Sequence, residues 1–332
     1  MSVIAVDVGG TTIKAAVYEP GTQRVGPVHV EATGHGDTLL GSIIAAIRAA
    51  AGDSRISAIG ICAPGIVNRD TGVIALAGNL GITDYPLRDL LRAEFGVPII
   101  LDHDLRTGAH AEAQLGHGKE ASNFVYVAIG TGLALSVVID GQVLCLDPWA
   151  GEIGQISYPS PHIGPTAYAA LENIAAAGGI CSRVMHLAEP TGQIPGRVVM
   201  SVEELNYSTI YQAFSTWGAA THHSMGEELL LSFGGKSEVN IRDIDGIVRD
   251  QINALAQLVA NIAGILGPVD IVLGGGVAQA GEKFREAILE SAKSYYLRIM
   301  PAPKLVPAVL GAGAQLLGAG LLGASVAKLP PN

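Results

Sequence analysis

The stretch "VIAVDVGGTTIKAAVYEPG", residues 3–21, decides the fold because a related stretch occurs later in the chain. It aligns with "NFVYVAIGTGLALSVVIDG", residues 123–141, so that Gly10 falls on Gly130. Each copy has two apolar runs joined by a turn of glycine and threonine, which is the pattern of a β-hairpin. The similarity indicates a duplication. Two such turns facing across a cleft would hold a polyphosphate through backbone N–H groups and hydroxyls.

Strands and helices alternate around the two hairpins. Apolar runs predict further strands at 56–62, 97–101 and 270–273, and amphipathic patterns predict helices at about 38–51, 87–95, 244–266 and 281–296. Such alternation is typical of α/β proteins. At 332 residues the chain exceeds the usual size of one domain, so we expect two domains. The polar stretch 186–243 shows no clear pattern.

Composition and charge disfavour several classes of function. The net charge is −10 with only 20 Lys and Arg residues, which argues against nucleic acid and membrane surfaces as partners. The three cysteines, Cys62, Cys145 and Cys181, lie far apart, so we expect neither a disulfide framework nor a cysteine zinc cluster. The opening "MSVIAVDVGG" lacks a basic segment and predicts no secretory signal. We therefore expect a cytoplasmic protein.

One stretch near the C-terminus is long and uncharged enough to suggest a membrane span. It reads "LVPAVLGAGAQLLGAGLLGASVA" and covers residues 305–327. Its proline and five glycines favour another interpretation, a short strand, a glycine turn and a buried helix. The small residues would let this helix approach a sheet closely. We therefore expect no membrane-spanning segment.

The turn of the first hairpin, "DVGGTT" at 7–12, has the composition of a phosphate site. Its glycines let backbone N–H groups approach a phosphate, and Asp7 can help to hold Mg²⁺ through water. A plain hairpin turn is the alternative, because the stretch is neither a Walker loop nor a dinucleotide fingerprint. Two more glycine turns, "GTG" at 130–132 and "GGG" at 274–276, also follow strands. The predicted phosphate-binding set is Asp7, Gly9, Gly10, Thr11, Thr12, Gly130, Thr131, Gly132, Gly274, Gly275 and Gly276.

A second polar stretch, "IILDHDLRTGAHAE" at 99–112, surrounds a histidine with two carboxylates where a strand gives way to a helix. Asp102, His103 and Asp104 could form a metal site or an acid–base centre, or one of them could cap the helix. The residue types alone leave all three interpretations open.

The order of these motifs resembles that of the ROK sugar kinases, in the actin-like ATPase superfamily, over nearly the whole chain. "AVDVGGTTIKAAV" is similar to the family's first phosphate loop, "AIGTG" to its second and "DIVLGGGV" to its adenosine-side loop. The resemblance implies an α/β fold with duplicated actin-like (ribonuclease H-like) domains that flank a central cleft. It implies a small domain of residues 1–101 plus about 313–332, and a large domain of residues 102–312.

The resemblance also implies a general base and a set of sugar contacts. "LDHDLRTGAHAE" matches a stretch that reads roughly NDANAAALAE in the family, which puts Asp104 at the catalytic aspartate and His103 where Asn is usual. Three further segments, 60–87, "AGEIGQ" at 150–155 and "AALENIAAAGG" at 169–179, match segments that contact sugar. The implied sugar-binding residues are Asn79, His103, Asp104, Glu152, Gln155 and Glu172.

This chain departs from the family pattern at the zinc site. Many members bind zinc through a His after GE[IL]G and through a CxCGxxGC run. Here the corresponding positions hold Gln155, Ile163, Pro165 and Ala170, none of which is a usual zinc ligand. We therefore expect no zinc site.

The resemblance implies a kinase that uses ATP and Mg²⁺ to phosphorylate a sugar hydroxyl, most simply on a hexose such as glucose, and a homodimer. An N-acetylhexosamine or an uncommon sugar or polyol is the alternative substrate, because His103 and Gln155 replace usual contacts. A non-catalytic sugar sensor is the alternative function, because the family includes repressors. Repressors carry a helix-turn-helix before the first phosphate loop, and the position of Asp7 near the start of the sequence favours the kinase.

Overall fold

The computed structural model describes residues 2–159, 167–190, 198–202, 206, 208–211, 229–233, 237–296 and 300–327. The strands are β1 Ser2–Val8, β2 Thr12–Glu19, β3 Arg24–Val25, β4 His29–Ala32, β5 Ile56–Ala63, β6 Ile66–Asn68, β7 Val73–Ala77, β8 Ile82–Tyr85, β9 Ile99–His103, β10 Phe124–Ile129, β11 Leu133–Ile139, β12 Gln142–Val143, β13 Ser157–Pro159, β14 Tyr168–Ala170, β15 Glu189–Pro190, β16 Val198–Val202, β17 Leu229–Phe233, β18 Ser237–Asn240, β19 Asp270–Gly274 and β20 Leu305–Pro307. The helices are α1 Leu39–Ala51, α2 Leu87–Phe95, α3 Asp104–Leu115, α4 Leu171–Ala175, α5 Ala177–Leu187, α6 Ile241–Leu266, α7 Glu282–Ala292 and α8 Ala314–Ala327.

Two compact units divide the chain. The first comprises residues 1–124, 136–151 and 308–332, and the second comprises residues 125–135 and 152–307. Helix α3 belongs to the first unit because it packs closely against α8, where a β-carbon at Gly318 would lie 2.0 Å from the carbonyl oxygen of Thr107. The predicted domains, a small one of residues 1–101 plus about 313–332 and a large one of residues 102–312, stay a prediction.

The sheet of the first unit has the strand order β3-β2-β1-β5-β9, with β4 also paired to β2. Strand β1 runs antiparallel to β2 and parallel to β5, which is itself parallel to β9. Its apolar side chains are buried against α1 and α2 in one cluster, and a second cluster lies against α8. Because β1, β5 and β9 are parallel, their carboxyl ends meet at one edge of the sheet.

The second hairpin forms at the predicted residues, as β10 and β11. The corresponding sheet has the order β12-β11-β10-β19-β20, and its strands β10, β19 and β20 lie almost wholly in the second unit. Strand β19 runs parallel to β20. The long helix α6 packs against α7, α4 and α5 within the same unit.

The stretch 305–327 folds as a short strand, a turn and a buried helix, which confirms the prediction. Glycines bring α8 very close to β5: a β-carbon at Gly60 would lie 1.8 Å from the carbonyl oxygen of Ala319, and one at Gly323 would lie 2.7 Å from the nitrogen of Gly60. Only glycine permits so close an approach of two backbones. Among the described residues, none of the helices combines the length and apolar character needed to cross a bilayer.

The sequence did not predict the small sheet β6-β7-β8, which lies between β5 and α2. Its β6–β7 turn contains Gly72 at φ 71°, a left-handed conformation that favours glycine. This sheet leads the chain to Asn79, which lies in the short 3-10 helix Gly78–Leu80.

Candidate active site

Polar side chains gather at the carboxyl ends of the parallel strands β1, β5 and β9. The strand register places Asp7 beside Cys62 and Cys62 beside Asp102. Residues in register on neighbouring strands direct their side chains to the same face. Asp104 follows directly, as the first residue of α3. Ligand sites of parallel α/β sheets lie outside such strand ends.

Asp7 is a partly buried carboxylate with two close partners. Its Oδ1 lies 3.5 Å from Sγ of Cys62, whose thiol donates to it, and its Oδ2 lies 3.9 Å from Nζ of Lys14. Burial raises the pKa of Asp7, the ammonium of Lys14 lowers it, and the nearby carboxylate of Asp104 raises it. Asp7 and Asp104 therefore lie close enough for their charges to interact.

The first glycine turn closes on itself and is supported from outside. The N–H of Gly9 donates to the carbonyl of Thr12 at 2.9 Å, and a β-carbon at Gly9 would lie 2.8 Å from that oxygen. The Thr33 hydroxyl donates to the carbonyl of Gly9 at 2.8 Å. The Asn79 amide nitrogen lies 3.2 Å from the position of a β-carbon at Gly10. The turn therefore has a fixed shape and places Asn79 beside a predicted phosphate loop.

Asp104 begins α3, but it is not the residue that caps the helix. The N-cap is His103, whose Nδ1 accepts from the N–H of Leu105 at 3.2 Å. In a neutral imidazole this contact puts the hydrogen on Nε2. Oδ1 of Asp104 accepts from the same N–H at 2.6 Å and lies 3.3 Å from Nδ1 of His103, and the Asp104 side chain is 36% exposed. The structure thus separates the roles that the sequence left open, with His103 as the cap and Asp104 accessible.

In the second unit, the turn at 130–132 rests on the start of α5. The N–H of Gly130 donates to the carbonyl of Gly132 at 2.9 Å. The carbonyl of Gly130 accepts from the N–H of Ala177 at 2.8 Å, and that of Thr131 accepts from Gly178 at 3.2 Å. These bonds fix the turn to the segment "AALENIAAAGG" while the residues Thr131 and Gly132 stay exposed.

Glu172 lies against this second turn. Its Oε1 accepts from Nε2 of Gln155 at 2.8 Å. Its Oε2 lies 3.0 Å from the position of a β-carbon at Gly132 and 2.9 Å from one at Gly154. The two glycines thus leave the space that the carboxylate occupies. Half-buried Glu152 precedes the short 3-10 helix Ile153–Gln155 in the same unit.

The third glycine turn packs against β10. A β-carbon at Gly274 would lie 2.2 Å from the hydroxyl of Tyr126, and one at Gly275, which has φ 82°, would lie 2.4 Å from the carbonyl oxygen of Ile129. Gly276 has open space at its β-carbon position. Packing alone therefore requires the first two glycines.

Two carboxylates of the first unit suit the Mg²⁺ that the resemblance implies. Asp7 and Asp104 interact as like charges beside the first turn, and Mg²⁺ is bound in proteins by one or two carboxylates together with phosphate oxygens. At the zinc positions, Gln155 is bonded to Glu172 and Ala170 ends β14, whereas Ile163 and Pro165 lie outside the described residues. Within the described ranges, His, Cys, Asp and Glu side chains form no group of three or more that could hold a metal.

The predicted residues fall into two sets. The first unit holds Asp7, the turn 9–12, Asn79, His103 and Asp104, and the second holds the turns 130–132 and 274–276 with Glu152, Gln155 and Glu172. How the two sets face each other stays a prediction.

Sequence reasoning missed the supports Thr33 and Arg106. The spacing of Asp102 and Arg106, four residues apart across a helix start, was a usable signal for an ion pair, but Thr33 had none.

The fold and the glycine turns define the class of protein, an α/β protein of two units with glycine turns after β1, β10 and β19. A family model for the ROK family matches residues 3–229 and 236–325, and the chain belongs to this family. The match confirms the resemblance that the sequence motifs indicated.

Relatives and solved structures add to this assignment. A glucokinase of Halalkalibacterium halodurans is 29% identical over 96% of this chain and 94% of its own. A putative xylose repressor of a Caldicellulosiruptor species is 27% identical over 70% of this chain, which spans 53% of that protein. The structure of a ROK family glucokinase from Streptomyces griseus in complex with glucose and AMPPNP has a TM-score of 0.70 and 21% identity, over 98% of this chain and 100% of that chain. This similarity confirms the predicted two-domain actin-like fold.

Proposed function

We propose that the chain is a sugar kinase that transfers the terminal phosphoryl group of ATP to a sugar hydroxyl. One observation carries this proposal: Asp104, an accessible carboxylate directly after β9, lies at the same end of the parallel sheet as Asp7 and the first glycine turn. A kinase needs such a carboxylate beside bound phosphates to take the proton of the acceptor hydroxyl.

Asp104 acts as the general base. It takes the proton of the sugar hydroxyl while that oxygen bonds to the terminal phosphorus of ATP and the bond to the ADP oxygen breaks. General-base catalysis contributes a factor of roughly 10² to 10⁴ to the rate. The helix start favours this role, because the N–H of Leu105 fixes Oδ1 at 2.6 Å and so orients the carboxylate.

The glycine turns bind the nucleotide. Backbone N–H groups and the exposed hydroxyls of Thr11, Thr12 and Thr131 suit phosphate oxygens. Asp7 would hold Mg²⁺ through water, as one of the few carboxylates that such an ion takes. When bound, Mg²⁺ neutralises charge on the transferred group. The turn 274–276 is proposed to lie on the adenosine side.

Each predicted set contains proposed sugar contacts. Asn79 is fixed beside the first turn, and Glu172 is held by Gln155. His103 takes the place of the usual Asn and is the proposed sugar contact beside Asp104. A hexose such as glucose is the proposed substrate, with an N-acetylhexosamine or an uncommon sugar as the alternative.

A sugar sensor without catalysis is the second candidate function. The similarity to a putative xylose repressor favours it, as do the altered residues His103 and Gln155. Sensor and kinase would share the sugar contacts and differ in turnover.

A panel of sugars with Mg-ATP tests the proposal. ADP release is followed with hexoses, N-acetylhexosamines, pentoses and polyols, and sugar binding is measured in parallel by calorimetry. We expect one class of sugar to release ADP in stoichiometric amounts with a sugar phosphate. Sugar binding without any ADP release across the panel would overturn the kinase and support the sensor.

A further inference from the structure

A buried ion pair flanks the proposed base in the sequence. Asp102 and Arg106, two residues before and two residues after Asp104, are each 3% exposed. Nε of Arg106 donates to Oδ1 of Asp102 at 2.7 Å. Oδ2 of Asp102 also lies 3.6 Å from Nη1 of the more exposed Arg69. Removing Asp102 would therefore leave the buried charge of Arg106 uncompensated, whereas removing Arg106 would leave Asp102 with Arg69.

The pair joins three elements of the first unit. Oδ1 of Asp102, at the end of β9, also accepts from the backbone N–H of His103 at 2.7 Å. Nη2 of Arg106 donates to the carbonyl of Val67 in β6 at 2.8 Å. Arg106 itself lies in the first turn of α3. One guanidinium therefore ties β6, the end of β9 and the start of α3 together.

The position of Asp104 depends on the backbone that this pair holds. The Asp104 carboxylate is 36% exposed, and its bond to the N–H of Leu105 stays within the helix start. Orientation of the carboxylate therefore follows the β9–α3 junction. A third bond at the junction, from the Thr107 hydroxyl to the carbonyl of His103 at 2.8 Å, lies within the same turn and makes no link to β6.

We infer that Asp102 and Arg106 are positioning residues for Asp104, an inference that rests on the proposed kinase function. Their contacts reach the backbone on either side of the base, including the N–H of His103. They include none of the other proposed sugar contacts Asn79, Glu152, Gln155 and Glu172. The pair should therefore set the rate of phosphoryl transfer much more than the affinity for sugar. It also distinguishes this chain from the family pattern NDANAAALAE, which has Asn at the position of Arg106.

The substitution Arg106→Lys tests this inference. Lysine keeps the charge but presents one compact ammonium, which cannot reproduce the planar fork that reaches Asp102 and the Val67 carbonyl. We expect kcat to fall by about 10- to 100-fold, as small misplacements of a catalytic group do, and the sugar KM to change by less than about threefold. Assays are run well below the Tm of each variant.

The matched control is Arg48→Lys, because Arg48 forms an ion pair with Glu94 on the exposed surface of the same unit. It should leave kcat and KM unchanged. Should Arg106→Lys fail to fold, Arg106→Gln provides the same test, since it removes the buried cation while Arg69 still compensates the charge of Asp102.

The outcomes distinguish the positioning role of the pair from the proposed kinase function. A lower Tm with unchanged kcat would show that the pair serves stability alone and would overturn the inference, while the kinase function would stand. An unmodified chain that binds sugar but releases no ADP would overturn both. A fall in kcat at constant KM, absent from Arg48→Lys, would support the inference.

Discussion

The two related hairpins share a shape but differ in their surroundings. In the first, Asp7 and Lys14 pair across the strands just before and after the turn. The aligned positions in the second hairpin hold Val127 and Ala134, which carry no charge. The first turn is braced by the Thr33 hydroxyl, whereas the second is braced by backbone bonds from α5.

This difference indicates a division of labour after duplication. The first hairpin contains Asp7, and Asp104 lies at the same end of its sheet, so the charges proposed to attract a cation and to accept a proton belong to one unit. The second hairpin contributes backbone and a hydroxyl, and its turn instead supports Glu172, a proposed sugar contact. A substitution in the first hairpin is therefore expected to affect turnover, and a substitution in the second is expected to affect sugar binding through Glu172.

Among substitutions in the two hairpins, the largest effect is expected from Asp7→Asn in the charged hairpin. Loss of the carboxylate should lower kcat/KM by about 100-fold or more, because the metal that stabilises the transferred charge loses its anchor. The measurement is ADP release against Mg²⁺ concentration. Asp140→Asn, an exposed Asp after the second hairpin, is the control and should keep full activity. Near-normal activity of Asp7→Asn would show that activity does not depend on the charge that distinguishes the first hairpin from the second.

The same variant should be more stable than the unmodified chain without ligands. Burial raises the pKa of Asp7. A carboxyl group with a raised folded-state pKa adds stability only at low pH, and that stability is lost as the pH rises through the folded pKa. At neutral pH the ionised Asp7 is therefore unfavourable, and thermal unfolding of Asp7→Asn should give a higher Tm. A lower Tm would contradict this reasoning.

An intermediate effect is expected from Gly132→Ala in the neutral hairpin. The new β-carbon would lie 3.0 Å from Oε2 of Glu172 and would displace that carboxylate, so the sugar KM should rise by about tenfold. Gly130→Ala is the matched variant, because its β-carbon position has open space. It should leave the sugar KM unchanged and affect only the KM for ATP. Equal sugar KM values for the two variants would contradict the proposed link between Glu172 and the turn.

A smaller effect is expected from Gln155→Ala. This exposed side chain donates to Glu172 at 2.8 Å, and its loss should raise the sugar KM about threefold to tenfold with little change in Tm. Gln114→Ala removes an exposed glutamine that contacts the carbonyl of Gly141, and it serves as the control. An unchanged sugar KM in Gln155→Ala would show that the glutamine does not orient Glu172.

The smallest effect concerns acid stability in the charged region. Burial and the nearby Arg69 lower the pKa of His110, although Asp102 raises it. A histidine whose pKa is lowered in the folded state makes the protein less stable as the pH falls below the ordinary histidine pKa of about 6.5. The Tm of the unmodified chain should therefore fall more steeply between neutral and mildly acidic pH than the Tm of His110→Leu. Parallel declines would show that His110 does not contribute.

Local patterns predicted the elements that depend on local sequence. The hairpin strands Phe124–Ile129 and Leu133–Ile139 and the helix Leu87–Phe95 lie where apolar periodicity placed them. Strand β9 was predicted at 97–101 but lies at Ile99–His103, because its last two residues pair with Cys62 and Ala63 of β5. The polar side chains of those last two residues hid the end of the strand.

Contacts between distant residues could not be predicted. Thr33 bonds to Gly9 from 24 residues away, and the carboxylate of Glu172 lies against Gly132 only because α4 packs there. Residue type did not single out the helix cap among the three candidates, since Asp is a common capping residue and His is not, yet His103 has the extended backbone that a cap requires. The candidate site residues could be predicted from the sequence, and the residues that hold them in place could not.

The central claim, that Asp104 is the general base of a sugar kinase, is tested most directly by Asp104→Asn with the sugar that the panel identifies. Asparagine keeps the shape and the hydrogen bond from Leu105 but cannot accept a proton at neutral pH. We predict that turnover falls by about 10² to 10⁴, while calorimetry shows sugar binding within about tenfold of the unmodified chain. Turnover near that of the unmodified chain would contradict the assignment.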